Sequence, residues 1–445
     1  MQAEAPEKKL TVIRVKDVLK FLCAGQILGL IDPLKPRMRN RCTTVLQCGS
    51  VLHGMRICFI NVLYSHQDER GGLGSHIADL SVELVRSGHQ VTVITSGKEG
   101  PYRERHVTII PMGSVAKYSS PWQLLNPRYL LQRLFYMVRM TRHVFRAHYD
   151  IVEAADGGFE HIVLVLLRRC PTVTKLHGNF RSIYSSKGLL PKLIERLEAF
   201  AVRRSHGIYT SSQAYAQTIA YDYNIPLERI KVISQGIDIS GIRNFSKIDL
   251  QQRYVAVKNK KLVFLSVGCS AERKGASVFV EAATMLLNKD FLFVLSCSNT
   301  DFLNGAPVPA NLLVLPILDR NEFYNWISES DIVVFPSYFE SFSIAVREAM
   351  LLNKMIVVSP YIPLEGIDRE YHRYSVLQEI AALPLANAIA ETIDGHKPCP
   401  EAEHTFHRQL IDKYDIRRVA KVTVEFYKMV ALQSGGNECR SSYRV

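Results

Sequence analysis

Short apolar runs alternate with helical stretches along this chain from residue 55 onward. The first run, 57–62, is followed by a polar loop, a glycine-rich segment at 71–74 and an amphipathic stretch that ends at Gly88. A second run follows at 91–95. Strands joined through a helix by short loops form parallel sheets with right-handed crossovers. The pattern therefore predicts an α/β fold.

A second series of the same kind occupies the C-terminal half. Its strand-like runs lie at 262–268, 292–296, 332–335 and 355–359. A chain of 445 residues is long enough for two domains. We therefore expect two doubly wound, Rossmann-like domains that face each other across a cleft, with ligands at the carboxyl ends of the strands.

The domain boundaries follow from where these patterns start and stop. Residues 1–54 show no clean period, and we expect a poorly ordered N-terminal extension there. The N-terminal domain is predicted over 55–240 and the C-terminal domain over 241–415. An amphipathic helix over 416–432 is expected to pack back on the N-terminal domain, and a Ser, Gly and Arg-containing tail over 433–445 is expected to be disordered.

Composition excludes several classes of protein. Hydrophobic residues make up 47% and charged residues 22% of the chain, which is typical of a globular enzyme. The apolar stretch at 21–31 is too short to span a bilayer. Nine cysteines, an odd number without regular spacing, favour neither a disulfide framework nor a zinc site. We therefore expect reduced thiols and a cytoplasmic location.

The net charge of +13 is unevenly distributed. Residues 101–205 hold 17 Lys and Arg against 7 Asp and Glu, a surplus of ten positive charges. Arginines alternate with apolar residues over 127–149, which is typical of helices that lie on an anionic membrane surface. Packed helices with a solvated arginine face explain the same pattern, so both interpretations stay open. The sequence contains no recognised nucleic-acid-binding module, so we do not expect a nucleic acid to be the partner of this basic region.

Two glutamates flank the start of a predicted helix at the end of a strand. Glu340 lies in the loop after the run 332–335, and Glu348 lies one to two turns into a helix that starts near Ser343. The N–H groups at such a helix start can bind a diphosphate, while the two carboxylates can hold sugar and ribose hydroxyls. A capped helix with Glu348 on its solvated face gives the same spacing.

This segment, DIVVFPSYFESFSIAVREAM, resembles the paired-glutamate motif of the retaining glycosyltransferases of family 4, which have the GT-B fold. Two glycines of the family motif are replaced here by Ser341 and Ser343, on either side of Phe342. The resemblance implies that Glu340 holds the donor sugar and takes part in catalysis, and that Glu348 holds the nucleotide ribose. Ser341, Phe342 and Ser343 would approach the donor phosphates.

A second motif, VGCSAERKGASVFVEA, is similar to the strand and basic loop of the same family. The resemblance places Lys274 on the donor diphosphate, in a catalytic role, and assigns a supporting donor contact to Arg273. Family members commonly carry an arginine where this chain has Cys269. This departure keeps a degenerate, non-catalytic transferase under consideration as an alternative.

Two N-terminal motifs extend the resemblance. The segment ERGGLGSHIADL resembles the family's glycine-rich loop, which implies that Gly71 and Gly72 approach the donor phosphates. The segment TKLHGNF places His177 where the family has a catalytic-centre histidine. The segment VEAADGGFEH makes Asp156, and also Glu153, a candidate for contact with the acceptor or the sugar.

The resemblance implies an enzyme that transfers a hexose from a nucleotide-diphosphate sugar with retention of configuration. The N-terminal domain would then be the acceptor side and the C-terminal domain the donor side. We expect no metal or other cofactor, and an acceptor that is a glycan or a lipid-linked sugar in glycan, glycolipid or envelope polysaccharide synthesis. With the membrane interpretation, the enzyme would work at the inner face of the plasma membrane. A nucleotide-sugar epimerase of the same fold, or a non-catalytic partner in a glycan-assembly complex, is the alternative.

Overall fold

The computed structural model contains two α/β domains, each built on its own sheet. It describes residues 54–62, 64, 72–97, 100–113, 126–156, 160–179, 188–268, 270–365, 367, 374–395 and 400–441. The extension predicted over 1–54 lies outside these residues except for Gly54, as do Gly71, Cys269 and the last four residues.

The N-terminal sheet has eight strands in the order β3-β4-β2-β1-β5-β6-β7-β8. Its pairs are parallel except for the antiparallel pair of β3 and β4. The strands are β1 (Arg56–Ile60), β2 (Gln90–Thr95), β3 (Tyr102–Glu104), β4 (Val107–Pro111), β5 (Ile151–Ala155), β6 (Thr172–Leu176), β7 (Gly207–Thr210) and β8 (Ile230–Val232).

Helices connect these strands and cover the sheet. They are α1 (Gly72–Arg86), α2 (Pro127–Ala147), α3 (Ile162–Leu167), α4 (Leu189–Arg204), α5 (Gln213–Tyr223) and α6 (Ile239–Arg243). Because β6 and β7 are buried along their whole length, both faces of the sheet must be covered. The doubly wound fold predicted from the sequence is thereby confirmed for this half.

The C-terminal sheet has six parallel strands in the order β11-β10-β9-β12-β13-β14. Its elements are α7 (Leu250–Arg253), β9 (Lys261–Gly268), α8 (Ala276–Met285), β10 (Phe291–Cys297), β11 (Leu312–Leu315), α9 (Arg320–Glu329), β12 (Ile332–Phe335), α10 (Ile344–Leu351), β13 (Met355–Val358), β14 (Tyr374–Val376), α11 (Ala382–Gly395) and α12 (Pro400–Tyr414). The reversal between β9 and β12 is a topological switch point, where ligands bind in such sheets.

The final helix, α13 (Ile416–Ser441), leaves the C-terminal domain and completes the core of the N-terminal one. Its residues Val419, Tyr427 and Val430 are buried in one cluster with Phe59 of β1 and Tyr209 of β7. The apolar face of the helix is therefore part of the N-terminal core, and the chain crosses between the domains twice.

The two crossings are hydrogen-bonded to each other. Ile237 donates its N–H to Tyr414 O at 2.7 Å, and Ile416 donates to Ile237 O at 3.0 Å. A Cβ at Gly236 would lie 2.9 Å from the backbone Cα of Ile416, so glycine at this position allows the two segments to approach closely. The hinge between the domains thus consists of two paired segments.

The end of the chain differs from the sequence-based prediction. The last helix continues to Ser441, so the prediction of a helix end at Leu432 and a disordered tail from residue 433 is wrong over 433–441. Ser434 donates its hydroxyl to Val430 O at 2.8 Å, one turn earlier, which satisfies this polar side chain within the helix.

No helix within the described ranges is both long and apolar enough to cross a membrane.

A buried polar contact fastens the last helix to the sheet. Glu153 of β5 is 2% exposed, and its Oε2 accepts hydrogen bonds from Tyr209 Oη at 2.6 Å and from Tyr427 Oη. Burial raises the pKa of Glu153, although Lys175 and the two hydroxyls act in the opposite direction.

We expect Tyr427→Phe to lower the free energy of unfolding by about 1–3 kcal/mol, because the buried Glu153 carboxyl loses one of its donors. Chemical denaturation measures this change. Tyr221→Phe is the control, since Tyr221 is 85% exposed and its loss of a hydroxyl should leave the midpoint unchanged. Equal midpoints for both variants would show that the Tyr427 hydroxyl contributes nothing to stability.

Candidate active site

The loop between β12 and α10 carries the first of the paired glutamates. Glu340 lies in this loop and Glu348 lies in the second turn of α10, whose N-cap residue is Ser343. Phe342 is buried and packs in the core of the C-terminal domain, which fixes the loop from below. Ser341 and Ser343 are also buried.

Ser343 has a left-handed backbone conformation, with φ at 63°. Left-handed residues other than glycine, asparagine and aspartate are uncommon because Cβ approaches a backbone oxygen. This conformation gives a physical reason for glycine at the matching position of the family motif. In this chain a serine adopts the same backbone shape at a cost in strain.

Two cations compensate the charge of Glu340. Its Oε1 lies 3.3 Å from Lys274 Nζ and 3.3 Å from Arg273 NH1. Burial by itself would raise the pKa of Glu340, but Lys274 and Arg273 outweigh it and hold the pKa below its ordinary value. Glu340 is therefore a carboxylate at neutral pH and cannot act as a general acid.

The basic loop and the glutamate loop are held together through their backbones. Tyr338 donates its N–H to Arg273 O at 2.9 Å, and Arg273 NH1 donates to Phe339 O at 2.7 Å. Gly275 has a φ of +72°, and a Cβ there would lie 2.3 Å from Pro336 O. Glycine at this position lets the two loops touch, and so it brings Lys274 to Glu340.

Glu348 is buried and held by side chains of α9. Its Oε1 accepts a hydrogen bond from Tyr324 Oη at 2.8 Å and lies 3.7 Å from Arg320 NH2. Among the residues that the structure describes, no hydrogen bond reaches its Oε2, which leaves that oxygen for a ligand. Burial raises the pKa of Glu348, and Arg320 acts against this rise. The interpretation of Glu348 as a residue on a solvated helix face is wrong.

Arg320 and Tyr324 are not among the site residues predicted from the sequence. A local signal for their placement was present, because Asp319 and Glu322 form a reciprocal capping box that fixes the start of α9. That start puts Arg320 in the first helical turn and Tyr324 one turn later on the same face. The capping box does not indicate, however, that both side chains contact Glu348.

His177 follows β6 and is positioned through its backbone. Asp156, which follows the neighbouring strand β5, accepts the N–H of His177 at 2.7 Å and that of Gly178 at 3.2 Å. Its carboxylate is therefore occupied by the loop of His177. In the structure Asp156 holds this loop through two backbone N–H groups, and its direct contact with the acceptor or the sugar stays a prediction.

The side chain of His177 is partly buried and its ring is uncharged. Burial, Lys175 and His76 all lower its pKa, so the imidazole is uncharged at neutral pH. Its Nδ1 lies 3.4 Å from Gln235 Nε2, while its Nε2 has no hydrogen-bond partner in the described part of the chain. Such a nitrogen can pair with a hydroxyl of a bound sugar.

A buried lysine was also missed. Lys175 of β6 is 1% exposed, and its Nζ lies 2.5 Å from His76 Nε2 and 5.2 Å from the centroid of the Tyr209 ring. Burial lowers the pKa of Lys175 to about 8, and the nearby Glu153 acts against this. A lysine in the middle of a strand without other charged residues was the available signal, since buried lysines need partners. Glu153, the second candidate for contact in the cleft, is instead part of this buried cluster.

The two domains bring these groups to one cleft. Ser212, the N-cap of α5, donates its hydroxyl to Ser341 O at 2.8 Å, and the rings of Tyr215 and Phe339 lie 5.6 Å apart. The loop of Glu340 therefore touches the domain that carries His177. Gly72 starts α1, which also borders the cleft through His76; the other predicted loop glycine, Gly71, lies outside the described residues.

Two family descriptions match consecutive parts of the chain. Residues 70–240 match "Glycosyltransferase Family 4", and residues 248–403 match "Glycosyl transferases group 1". The chain belongs to glycosyltransferase family 4. It is accordingly a retaining glycosyltransferase that uses a nucleotide-sugar donor, as the paired glutamates indicated.

Relatives of known sequence agree with this family. The chain is 24% identical over 387 residues to an uncharacterized glycosyltransferase of Methanocaldococcus jannaschii, covering 82% of this chain and 96% of the relative. It is 25% identical over 255 residues to the N,N'-diacetylbacillosaminyl-diphospho-undecaprenol alpha-1,3-N-acetylgalactosaminyltransferase of Campylobacter jejuni, covering 53% and 64%.

Solved structures show the same fold. Sucrose-phosphate synthase from Thermosynechococcus elongatus superposes with a TM-score of 0.68 at 14% identity, covering 84% of this chain and 99% of that one. Anabaena HepE in complex with UDP-glucose superposes with a TM-score of 0.62 at 16% identity, covering 84% and 100%. The GT-B architecture predicted from the sequence is confirmed.

The Asp156 contact predicts a dependence of activity on pH. Burial raises the pKa of Asp156 to about 7, so the carboxyl takes up a proton as the pH falls through that value. A protonated oxygen accepts the loop N–H groups poorly, and we expect kcat to fall on the acid side of pH 7. Asp156→Asn should have low kcat at every pH and lack this acid limb.

Steady-state turnover between pH 5.5 and 9 tests this prediction. Asp290→Asn is the matched control, because Asp290 is exposed and pairs with Lys260 on the surface. An acid limb that persists in Asp156→Asn would assign it to another group.

Proposed function

We propose that this enzyme transfers a hexose from a UDP-sugar to a glycan or lipid-linked acceptor, with its N-terminal domain resting on an anionic membrane surface. The observation that carries the donor site is the position of Glu340 against Lys274 and Arg273, with Glu348 in the second turn of the helix that follows. Structures of Anabaena HepE with UDP and with UDP-glucose support the choice of uridine.

The leaving diphosphate needs positive charge. Lys274 and Arg273 are 22% and 29% exposed, so both reach the cleft while they contact Glu340. We infer that both side chains also contact the diphosphate when the donor binds, and that the N–H groups at the start of α10 contact it with them. In this proposal fixed cations stabilise the leaving group, and no metal is required.

The two glutamates have different tasks in this proposal. Glu340 is held as a carboxylate and would accept hydrogen bonds from hydroxyls of the donor sugar. Glu348 would accept from the ribose hydroxyls through Oε2, since Tyr324 occupies Oε1. His177 Nε2 would contact the sugar from the acceptor side. The acceptor then attacks from the face that the diphosphate leaves, and a phosphate oxygen takes its proton.

The donor site predicts specific losses. We expect Glu348→Ala to weaken UDP binding at least tenfold and Lys274→Met to do the same, because each removes a charged contact to the nucleotide. Titration calorimetry with UDP measures both. Glu281→Ala, on the exposed face of α8, is the control and should bind like the wild type.

Donor turnover completes the test. Mass spectrometry measures the UDP that is released from a panel of UDP-hexoses. This release should be unchanged by EDTA and lost in Glu340→Gln. A wild-type protein that binds neither UDP nor GDP would favour the non-catalytic partner instead. Activity that disappears with EDTA would contradict the part of the proposal that excludes a metal.

The membrane surface is supported by one face of α2. Leu131 and Phe135 are 53% and 67% exposed, and the same face carries the exposed Arg128, Arg139 and Arg146. Apolar side chains between arginines are the arrangement by which a helix inserts into an anionic interface. The solvated-arginine interpretation explains the charges but not the exposed Phe135.

Arg133 does not belong to this face. It is 4% exposed and forms a buried ion pair with Glu160. The helix α4 lies in the same layer, because Met137 of α2 and Leu197 of α4 share a cluster with Ile162 of α3. Its first residue, Leu189, is 75% exposed.

Vesicle sedimentation tests the surface. We expect the protein to bind vesicles of phosphatidylglycerol at low salt and not those of phosphatidylcholine, with at least a fivefold loss in Phe135→Asp. Tyr221→Asp is the control, because Tyr221 is an aromatic residue on α5 that is even more exposed than Phe135. Equal binding of both variants would show that α2 is an ordinary solvated helix.

A further inference from the structure

A single arginine joins the acceptor-side domain to the donor carboxylate. Arg320, in the first turn of α9, donates from NH1 to Asp79 of α1 at 2.8 Å. Its NH2 lies 3.7 Å from Glu348 Oε1, and its Nε donates to Tyr324 Oη at 2.8 Å. Asp79 belongs to the N-terminal domain, and the other three residues belong to the C-terminal one.

Arg320 compensates the negative charge of two carboxylates, Asp79 and Glu348, one from each domain. Asp79 and Glu348 have side chains that are only 12% and 8% exposed. Burial raises the pKa of both carboxyls, and Asp238, at the hinge, raises each further. Without Arg320, carboxylates of opposite domains would face each other in a poorly hydrated cleft and repel.

We propose that Arg320 is a positioning residue that clamps the two domains in the closed arrangement and sets the pose of Glu348 at the same time. The guanidinium fork makes this double role feasible, because separate N–H groups reach Asp79, Tyr324 and Glu348. Tyr324 also helps to position Glu348, because its hydroxyl accepts a hydrogen bond from Arg320 and donates one to Glu348 Oε1. One side chain therefore contributes both to closure and to the orientation of the donor.

A second contact between the domains is independent of this clamp. Glu365 of the C-terminal domain accepts the N–H groups of Gln213 at 2.6 Å and of Ala214, at the start of α5. It contacts neither Arg320 nor Glu348 in the described structure. Loss of the Glu365 contact should loosen closure without the charge conflict that loss of Arg320 creates, which makes it a useful comparison.

The test is a double-mutant cycle read by small-angle X-ray scattering on the full-length, ligand-free protein. Asp79→Asn and Arg320→Met should each increase the radius of gyration, with the larger increase in Arg320→Met. The double variant should be more compact than Arg320→Met alone, because it removes one of the two facing carboxylates. Asp79→Asn would then increase the radius of gyration in the wild-type background and decrease it in the Arg320→Met background. This reversal of sign is what a charge clamp predicts.

Controls separate the clamp from general damage. Arg253→Met breaks a surface ion pair with Glu322 on the same helix α9 and should scatter like the wild type. Glu365→Ala, which removes the acceptor oxygens, should add to Arg320→Met without reversal. The proposal is overturned if Arg320→Met scatters like the wild type, or if the Asp79 and Arg320 variants are simply additive. If Arg320→Met does not fold, Asp79→Asn still decides, because it removes the contact between the domains and leaves Arg320 beside Glu348. Scattering of Asp79→Asn that equals that of the wild type would then overturn the proposal.

Donor affinity gives a second readout, which rests on the proposed donor role of Glu348. We expect UDP binding to weaken about tenfold in Arg320→Met, within the range of ordinary coupling energies, and to recover partly in the double variant. Arg320→Lys should restore compactness in part but not UDP affinity, because one ammonium cannot hold both carboxylates. A wild type that fails to bind UDP would contradict the proposed function, while the scattering cycle would still test the clamp.

Discussion

The cost of burying carboxylates governs the arrangement of this active site. Glu340, Glu348, Glu153 and Asp156 all lie at or beneath the cleft, where an uncompensated negative charge would be expensive. Each is compensated by a group from another segment of the chain: Arg273 and Lys274, Arg320 and Tyr324, Tyr209 and Tyr427, and the N–H groups of 177 and 178. The catalytic geometry therefore exists only when these segments are assembled.

This dependence explains why the last helix matters to a site that it does not touch. The helix α13 contributes Tyr427 to Glu153, and Glu153 lies beneath Lys175, which contacts His76 at the cleft. Because the chain returns to its first domain, the core of that domain is complete only after the donor domain has been made. The hinge then holds two chain crossings, which limits the domains to opening and closing rather than free rotation.

Much of the fold and half of the site could be predicted from the sequence. The alternation of strands and helices determines both sheets, because period and loop length are local properties. The glutamate loop and His177 could be placed at strand ends for the same reason. Arg320, Tyr324 and Lys175 could not, since their roles come from partners 24 to 241 positions away along the chain. Local pattern carries no information about such distances.

The sequence by itself determined the family, the two-domain plan and the charged residues of the glutamate and basic loops, Glu340, Glu348, Lys274 and Arg273. Only the tertiary structure decided what each charge does. It assigned Asp156 to the loop of His177, moved Glu153 into a buried cluster and placed Arg320 between the domains. The physical reason is that the role of a charge is set by its solvation and nearest countercharge, and both are created when distant segments pack together.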